Sequence, residues 1–81
     1  MTFSQLKELF LAKISGLYDT AESEEIFFLL LAENNLYSKT KYVLNRLETV
    51  KNLELWEFQI TQLIEGNPIQ YIIGQADFWG M

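Results

Sequence analysis

At 81 residues, of which 49% are apolar and 15% aromatic, the chain is long enough for one small domain and too apolar for a disordered segment. It contains neither cysteine nor histidine, which excludes disulfides, thiolate chemistry and the usual ligands of zinc and haem. The formal net charge is −5, and the N-terminus is charged where a signal peptide would be apolar. We therefore expect a soluble cytoplasmic domain that binds no metal and enters no membrane.

The first half of the chain predicts two helices. Residues 4 to about 15 have apolar side chains at helical spacing, and Gly16 ends the pattern. These side chains are Phe3, Leu6, Leu9, Phe10, Ile14 and Leu17. Asp19 is a suitable N-cap for a second helix that runs to about Asn34. Since residues 26–32 are apolar without a break, this helix should be the central one, with neighbours on all sides.

The second half predicts two more helices. The pair Asn34-Asn35 suggests a turn, and Ser38 is a suitable N-cap for the third helix. Its apolar positions are Val43, Leu44, Leu47 and Val50. A fourth helix follows the polar break at residues 51–52 and ends at Gly66-Asn67-Pro68. Its apolar stripe consists of Leu53, Trp56, Ile60, Leu63 and Ile64.

The C-terminal residues are harder to assign. Five residues, Ile69 to Ile73, are too few to distinguish a helical turn from a short strand by periodicity. Asp77 to Met81 look extended. The predicted fold class is therefore all-α, a small helical bundle of four main helices plus a short C-terminal turn or helix and the start of a β-hairpin linker. Residues 1–74 would form the bundle, and residues 75–81 would begin the linker.

No catalytic, cofactor-binding or metal-ligating residue can be assigned from the sequence. Glu54 and Glu57 share a helix face, as do Glu22 and Glu25, but such pairs are typical of a solvated helix surface. A phosphate-binding loop needs clustered glycines, and the glycines here are isolated at positions 16, 66, 74 and 80. The aromatic residues lie on helical stripes, so we interpret them as core.

One segment differs in charge from the rest of the chain. Residues 39–51 carry a net charge of +3, and Lys39, Lys41 and Arg46 form a possible partner-facing basic patch. A turn followed by a basic helix loosely resembles a helix-turn-helix. However, an acidic domain with six basic residues offers few phosphate contacts, so nucleic acid is an unfavoured partner. A solvated face is the default interpretation, and an acidic protein is the next.

The last sixteen residues up to Gly80 carry a more specific pattern, in which a Gly-Asn-Pro helix terminator precedes Ile-Gln-Tyr-Ile-Ile-Gly and then Phe-Trp-Gly. The motif residues are Gly66, Pro68, Ile69, Gln70, Tyr71, Ile72, Gly74, Phe78 and Gly80. This string resembles the domain junction of the protein-(glutamine-N5) methyltransferases that modify peptide chain release factors. One departure is that residues 61–65 lack the arginines that often precede the motif in that family, which puts a basic partner contact there in doubt.

The resemblance implies that the chain is the N-terminal release-factor-recognition domain of such an enzyme. The Rossmann-like methyltransferase domain, which would bind S-adenosylmethionine, would follow it, so this chain alone would not be an enzyme. The motif would dock the linker on the bundle, chiefly through Pro68, Ile69, Tyr71 and Ile72. The less favoured alternative is that its polar members, Gln70 and Tyr71, contact the substrate. The alternatives are a stand-alone helical protein-interaction module, with residues 78–79 packed on the bundle or at a dimer interface, and a nucleic-acid binder.

Overall fold

The computed structural model describes the backbone of residues 1–79 and the side chains of residues 1–74. The helices of this part of the chain are α1 (Phe3–Ile14), α2 (Thr20–Asn35), α3 (Lys39–Asn45), α4 (Leu53–Ile64) and α5 (Ile69–Trp79). Within these residues the only β-pairing is an isolated antiparallel bridge between Thr2 and Thr49. The predicted all-α fold class is confirmed.

Side-chain caps start the first three helices. Thr2 forms a capping box with Gln5, in which each side chain accepts a hydrogen bond from the other residue's backbone N–H, at 3.2 and 2.9 Å. The carboxylate of Asp19 accepts from the backbone N–H of Glu22 at 2.8 Å. Ser38 Oγ accepts from the backbone N–H of Lys41 at 3.2 Å. The predicted caps at Asp19 and Ser38 are thus confirmed, because capping is a property of a few adjacent residues.

The core is built around three aromatic rings from three helices. Phe10 of α1, Phe27 of α2 and Trp56 of α4 are fully buried. The ring centroid of Phe27 lies 5.5 Å from that of Phe10 and 5.3 Å from that of Trp56. Apolar residues complete this core around them, namely Phe3, Leu6, Ile14, Leu30, Leu31, Tyr42, Val50, Ile60, Leu63 and Ile72.

Helix α2 is less enclosed than its sequence predicted. Phe27, Leu30 and Leu31 are buried, but Leu29 and Ala32 in the same apolar run are exposed. The expectation of neighbours on all sides was therefore wrong. A bundle of this size has too few helices to surround one of its own members, so α2 keeps one side open.

A cluster of side-chain amides joins the end of α2 to α4. Asn34 and Gln59 exchange two hydrogen bonds, of 2.6 and 3.1 Å. Asn35 donates to Asn52 at 3.2 Å and accepts from the indole N–H of Trp56, also at 3.2 Å. The predicted turn at Asn34-Asn35 was misplaced, because both residues belong to α2 and the chain turns at Leu36 instead, which adopts a left-handed conformation.

Helix α3 departs most from its prediction. It ends at Asn45, so Leu47 and Val50 lie beyond it. Tyr42 is its buried residue, whereas Val43, Leu44 and Leu47 are exposed. Among the predicted apolar positions, only Val50 is buried. Its backbone N–H donates to the carbonyl of Met1 at 2.9 Å. The aromatic ring of Tyr42 occupies the core position for this short helix, which turns the aliphatic side chains outward.

The segment after Pro68 is helical. Helix α5 packs against α4 and α2, with Ile72 fully buried. It continues to Trp79. The prediction that an extended segment, the start of a hairpin, begins at Asp77 is therefore wrong for residues 77–79, which are helical. Residues 80–81 lie outside the described part. A helix satisfies its backbone hydrogen bonds internally, whereas a strand needs a partner, and residues 1–79 contain no strand.

Candidate functional site

The residues of the terminal motif end α4 and start α5. Gly66 has a φ of 93°, a left-handed conformation that favours glycine after a helix. The carbonyl of Pro68 accepts from the backbone N–H groups of Tyr71 and Ile72, at 3.1 and 3.2 Å, and so begins the next helix. The pattern thus builds a tight connection between two helices.

The side chains of the motif divide into two groups. Ile72 is buried and Ile69 packs against the core, whereas Gln70 and Gly74 are exposed and Tyr71 is half exposed. The side chain of Phe78, and Gly80 as a whole, lie outside the described residues, as does the packing expected of residues 78–79 by the stand-alone alternative. A role of these residues in docking a linker stays a prediction.

The basic patch lies over aromatic rings. Lys39 Nζ is 5.4 Å from the ring centroid of Phe28, and Lys41 Nζ is 5.0 Å from that of Tyr37. Nζ of Lys7, a residue of α1, also lies 5.2 Å from the ring centroid of Phe28. Such contacts hold an ammonium group in place while leaving it able to meet an anion. The structure therefore adds Lys7 to the cations near the patch, although it is distant in sequence.

Beside these cations is an apolar surface that we call the α3 face, made of Val43, Leu44 and Leu47. These side chains are 63%, 78% and 73% exposed. With about 3.6 residues per turn, Val43 and Leu44 project away from the buried Tyr42, and Lys39 and Lys41 flank them. Arg46 is exposed in the turn that follows. Glu48, next to Leu47, is also exposed, but the net charge of residues 39–51 is +3. The arrangement can offer an apolar contact with a net positive border.

The chain is similar over its whole length to a release factor glutamine methyltransferase of Flavobacterium psychrophilum, with 29% identity over 83 residues. The chain spans 29% of the length of that relative. No family model matches the chain, and no solved structure matches it.

The acidic pairs predicted from the sequence lie on the surface. Glu22, Glu25, Glu54 and Glu57 are exposed, in agreement with a solvated helix surface. No group of three or more acidic, cysteine or histidine side chains is placed to hold a metal ion in the described part. None of the described helices is long and apolar enough to cross a membrane.

Tyr42 is the described residue whose titration is clearly altered. Burial of its phenol raises its pKa above the ordinary value, while the hydrogen bond with the Ser4 side chain and the charge of Arg46 oppose the shift. Its ring lies 5.8 Å from that of Phe27 and 5.4 Å from that of Phe28. Its burial and these two ring contacts anchor α3 on α2.

Sequence reasoning found the basic residues of this surface but missed its apolar part. The leucines were taken as core because apolar residues at helical spacing usually are. No sequence signal separated the two outcomes, since a buried apolar stripe is ordinarily bordered by charged residues as well. The contribution of Lys7 had no sequence signal, because it depends on how α1 packs against α2.

Proposed function

We propose that the chain is the N-terminal release-factor-recognition domain of a peptide chain release factor glutamine N5-methyltransferase, a cytoplasmic enzyme that uses S-adenosylmethionine. The observation that carries the proposal is similarity along the whole chain to a protein of that name, of which the chain spans only a part. The resemblance of the terminal motif to the domain junction of that family supports the same assignment. The catalytic and cofactor-binding residues would then belong to the rest of the enzyme.

A recognition role fits the surface of the bundle. A glutamine amide is a weak nucleophile, so a methyltransferase gains from binding energy that holds the substrate protein in position at a distance from the reacting atoms. The described bundle has no candidate for the chemistry itself, but it does present an exposed surface with mixed apolar and basic character. That surface suits protein binding better than phosphate binding.

A domain exchange tests the proposal. The segment of the Flavobacterium psychrophilum relative that aligns with this chain is replaced by this chain, and methyl transfer from S-adenosylmethionine to a release factor is measured. The matched control is the same relative with the segment deleted. We expect the chimera to methylate the release factor with a lower KM than the deletion variant, because the bundle restores substrate binding. A chimera no better than the deletion variant would contradict the proposal.

A further inference from the structure

The α3 face is exposed although its residue types belong in a core. Together with Leu36, the residues Val43, Leu44 and Leu47 are the four most exposed large apolar side chains that the structure describes. Single exposed leucines are common on protein surfaces, but a contiguous apolar surface with a polar border marks an interaction site. Val43 and Leu44 are adjacent on α3, and Leu47 follows in the turn directly after it, so the three exposed side chains lie within five residues of the chain.

Leu36 adds an independent observation. It lies three residues before α3 and is 83% exposed, in a left-handed conformation with φ 59° and ψ 33°. Glycine is the usual residue at such a helix end, because a side chain there is strained. In the described fold the leucine side chain gains no burial that would offset this strain. The left-handed backbone itself ends α2, since the N–H of Leu36 donates to the carbonyl of Ala32 at 3.1 Å. A glycine would make the same cap, so the fold does not require the leucine side chain at this position.

The charge around the α3 face indicates the chemistry of what binds it. Four of the chain's six basic residues lie within residues 39–51, in a chain whose net charge is −5. Lys39 and Lys41 are held over the rings of Phe28 and Tyr37, so their positions are restricted before a partner arrives. A complementary surface must therefore combine carboxylates with apolar side chains.

We propose that the α3 face binds an acidic amphipathic segment of a partner protein. The partner's apolar side chains would cover Val43, Leu44 and Leu47, and its carboxylates would pair with Lys39, Lys41 and Arg46. This inference rests on the proposed function, in which the partner is the release factor. It specifies which surface of the bundle makes the contact and which chemistry the partner must present there.

Two other classes of ligand fit the surface less well. Nucleic acid binds through phosphates, so the exposed leucines would contribute little, and the net negative charge of the chain would oppose the backbone. A membrane surface requires a longer amphipathic helix than the seven residues of α3. Anionic lipids would also repel the acidic remainder of the domain. An acidic protein segment uses both the leucines and the lysines.

The first test measures binding of a fluorescent acidic amphipathic peptide, with leucines on one helix face and glutamates on the other, to the whole 81-residue chain. We expect saturable binding that Leu44→Ser with Leu47→Ser, or Lys39→Glu with Lys41→Glu, weakens about tenfold or more. The matched controls are Leu17→Ser and Leu29→Ser, which remove exposed leucines elsewhere and should leave binding unchanged. Circular dichroism checks that each variant is folded.

Leu36→Gly separates binding from folding. The substitution removes the strain that a leucine side chain has in the left-handed conformation. The variant should therefore unfold at a higher temperature than the wild-type chain. If Leu36 contacts the partner, the same variant should bind the peptide several-fold more weakly. A residue with a purely structural role would not lose binding when its replacement stabilises the fold. Unchanged peptide binding by Leu36→Gly would remove Leu36 from the proposed contact.

A parallel titration with a release factor distinguishes the inference from the proposed function. If the release factor binds the wild-type chain and all α3-face variants equally, the inference is wrong and the proposed function stands. If the peptide binds through the α3 face but the release factor does not bind, the inference stands and the proposed function is wrong. If neither the peptide nor the release factor binds, the inference is wrong, and the domain exchange then tests the proposed function.

Two further titrations test whether the partner is a protein, a membrane or a nucleic acid. Vesicles containing phosphatidylglycerol and a single-stranded RNA are titrated under the same conditions. We expect neither to compete with the peptide. Tighter binding of either one through Lys39 and Lys41 would overturn the proposal of a protein partner. A control peptide with serine in place of leucine should bind weakly, since the apolar contact is then lost.

Discussion

The contact between α2 and α4 and the surface of α3 place the same kinds of residue in opposite environments. Between α2 and α4, Phe27 and Trp56 are fully buried, and the amides of Asn34 and Gln59 satisfy each other. On α3, Tyr42 is buried while the neighbouring leucines are in solvent. The first region is completed within the bundle, whereas the second is left open. The first region thus contributes to stability, and the second is the one for which binding is proposed.

The largest expected effect tests the buried region. Trp56→Ala removes a ring that packs against Phe10 and Phe27 and also leaves Asn35 without its indole donor. We expect the free energy of unfolding to fall by about 3 to 5 kcal/mol, which can unfold so small a domain. Urea denaturation followed by circular dichroism measures the change. The control is Leu44→Ala on the α3 face, which should alter the free energy of unfolding by no more than about 0.5 kcal/mol.

The next effect concerns the amide pair. Asn34→Ala leaves the side-chain amide of Gln59 unpaired at 1% exposure, which should cost about 1 to 3 kcal/mol of stability. The double variant Asn34→Ala with Gln59→Leu removes both polar groups and should recover part of that loss. A double-mutant cycle by thermal or urea denaturation gives the coupling between them. Strictly additive losses would show that the two amides act independently.

A smaller effect of opposite sign is expected at Leu36. Leu36→Gly should raise the free energy of unfolding by about 1 kcal/mol, because a left-handed conformation is strained for leucine and not for glycine. Leu36→Ala is the matched control, since it removes most of the side chain but keeps the Cβ that causes the strain. The alanine variant should show no comparable gain. Equal stability of the glycine and wild-type chains would argue that the strain is negligible.

The pH dependence of stability tests how Tyr42 is held. Its pKa is raised in the folded chain, so above the ordinary tyrosine pKa of about 10 the unfolded state loses its proton first. The folded state then holds more protons, and stability falls as the pH rises through the folded pKa. Below a pH of about 10, Tyr42 is protonated in both states, and its contribution to stability is fully present. Tyr42→Phe cannot titrate.

The measurement is the urea midpoint of the wild-type chain and of Tyr42→Phe at about pH 9 and about pH 11. Other tyrosines and the lysines titrate in both proteins, so their effects cancel in the difference. We expect the wild-type chain to lose stability relative to Tyr42→Phe between the two values. A constant difference would mean that the pKa of the phenol is the same in the folded and the unfolded chain.

Much of the bundle could be predicted because the responsible interactions are local. The starts of α2 and α3 follow from Asp19 and Ser38, whose side chains cap backbone groups three residues away. The end of α4 follows from Gly66, whose left-handed φ suits glycine. The expectation that aromatic residues form the core was also confirmed for Phe10, Phe27 and Trp56.

The errors occur where the result depends on the number of available neighbours. Leu29 is apolar and helical, yet its side chain is 43% exposed among the described residues. Val43 and Leu44 have the spacing of a core stripe, but Tyr42 already fills the space beneath α3. The turn after α2 falls at Leu36 rather than at the asparagines, whose side-chain amides are bonded to Gln59 and Trp56 of α4. None of these outcomes can be read from a window of adjacent residues.

The sequence by itself determined the helical class, the caps, the terminator at Gly66 and the concentration of positive charge in residues 39–51, because each depends on backbone geometry or composition within a few residues. Only the tertiary structure decided which apolar residues are buried and which remain exposed. Burial depends on contacts between helices that are distant in the sequence. Those contacts leave the side chains of the α3 face beside Lys39 and Lys41 rather than in the core. The candidate interaction surface is therefore a product of packing, built from residues whose pattern alone predicts a core.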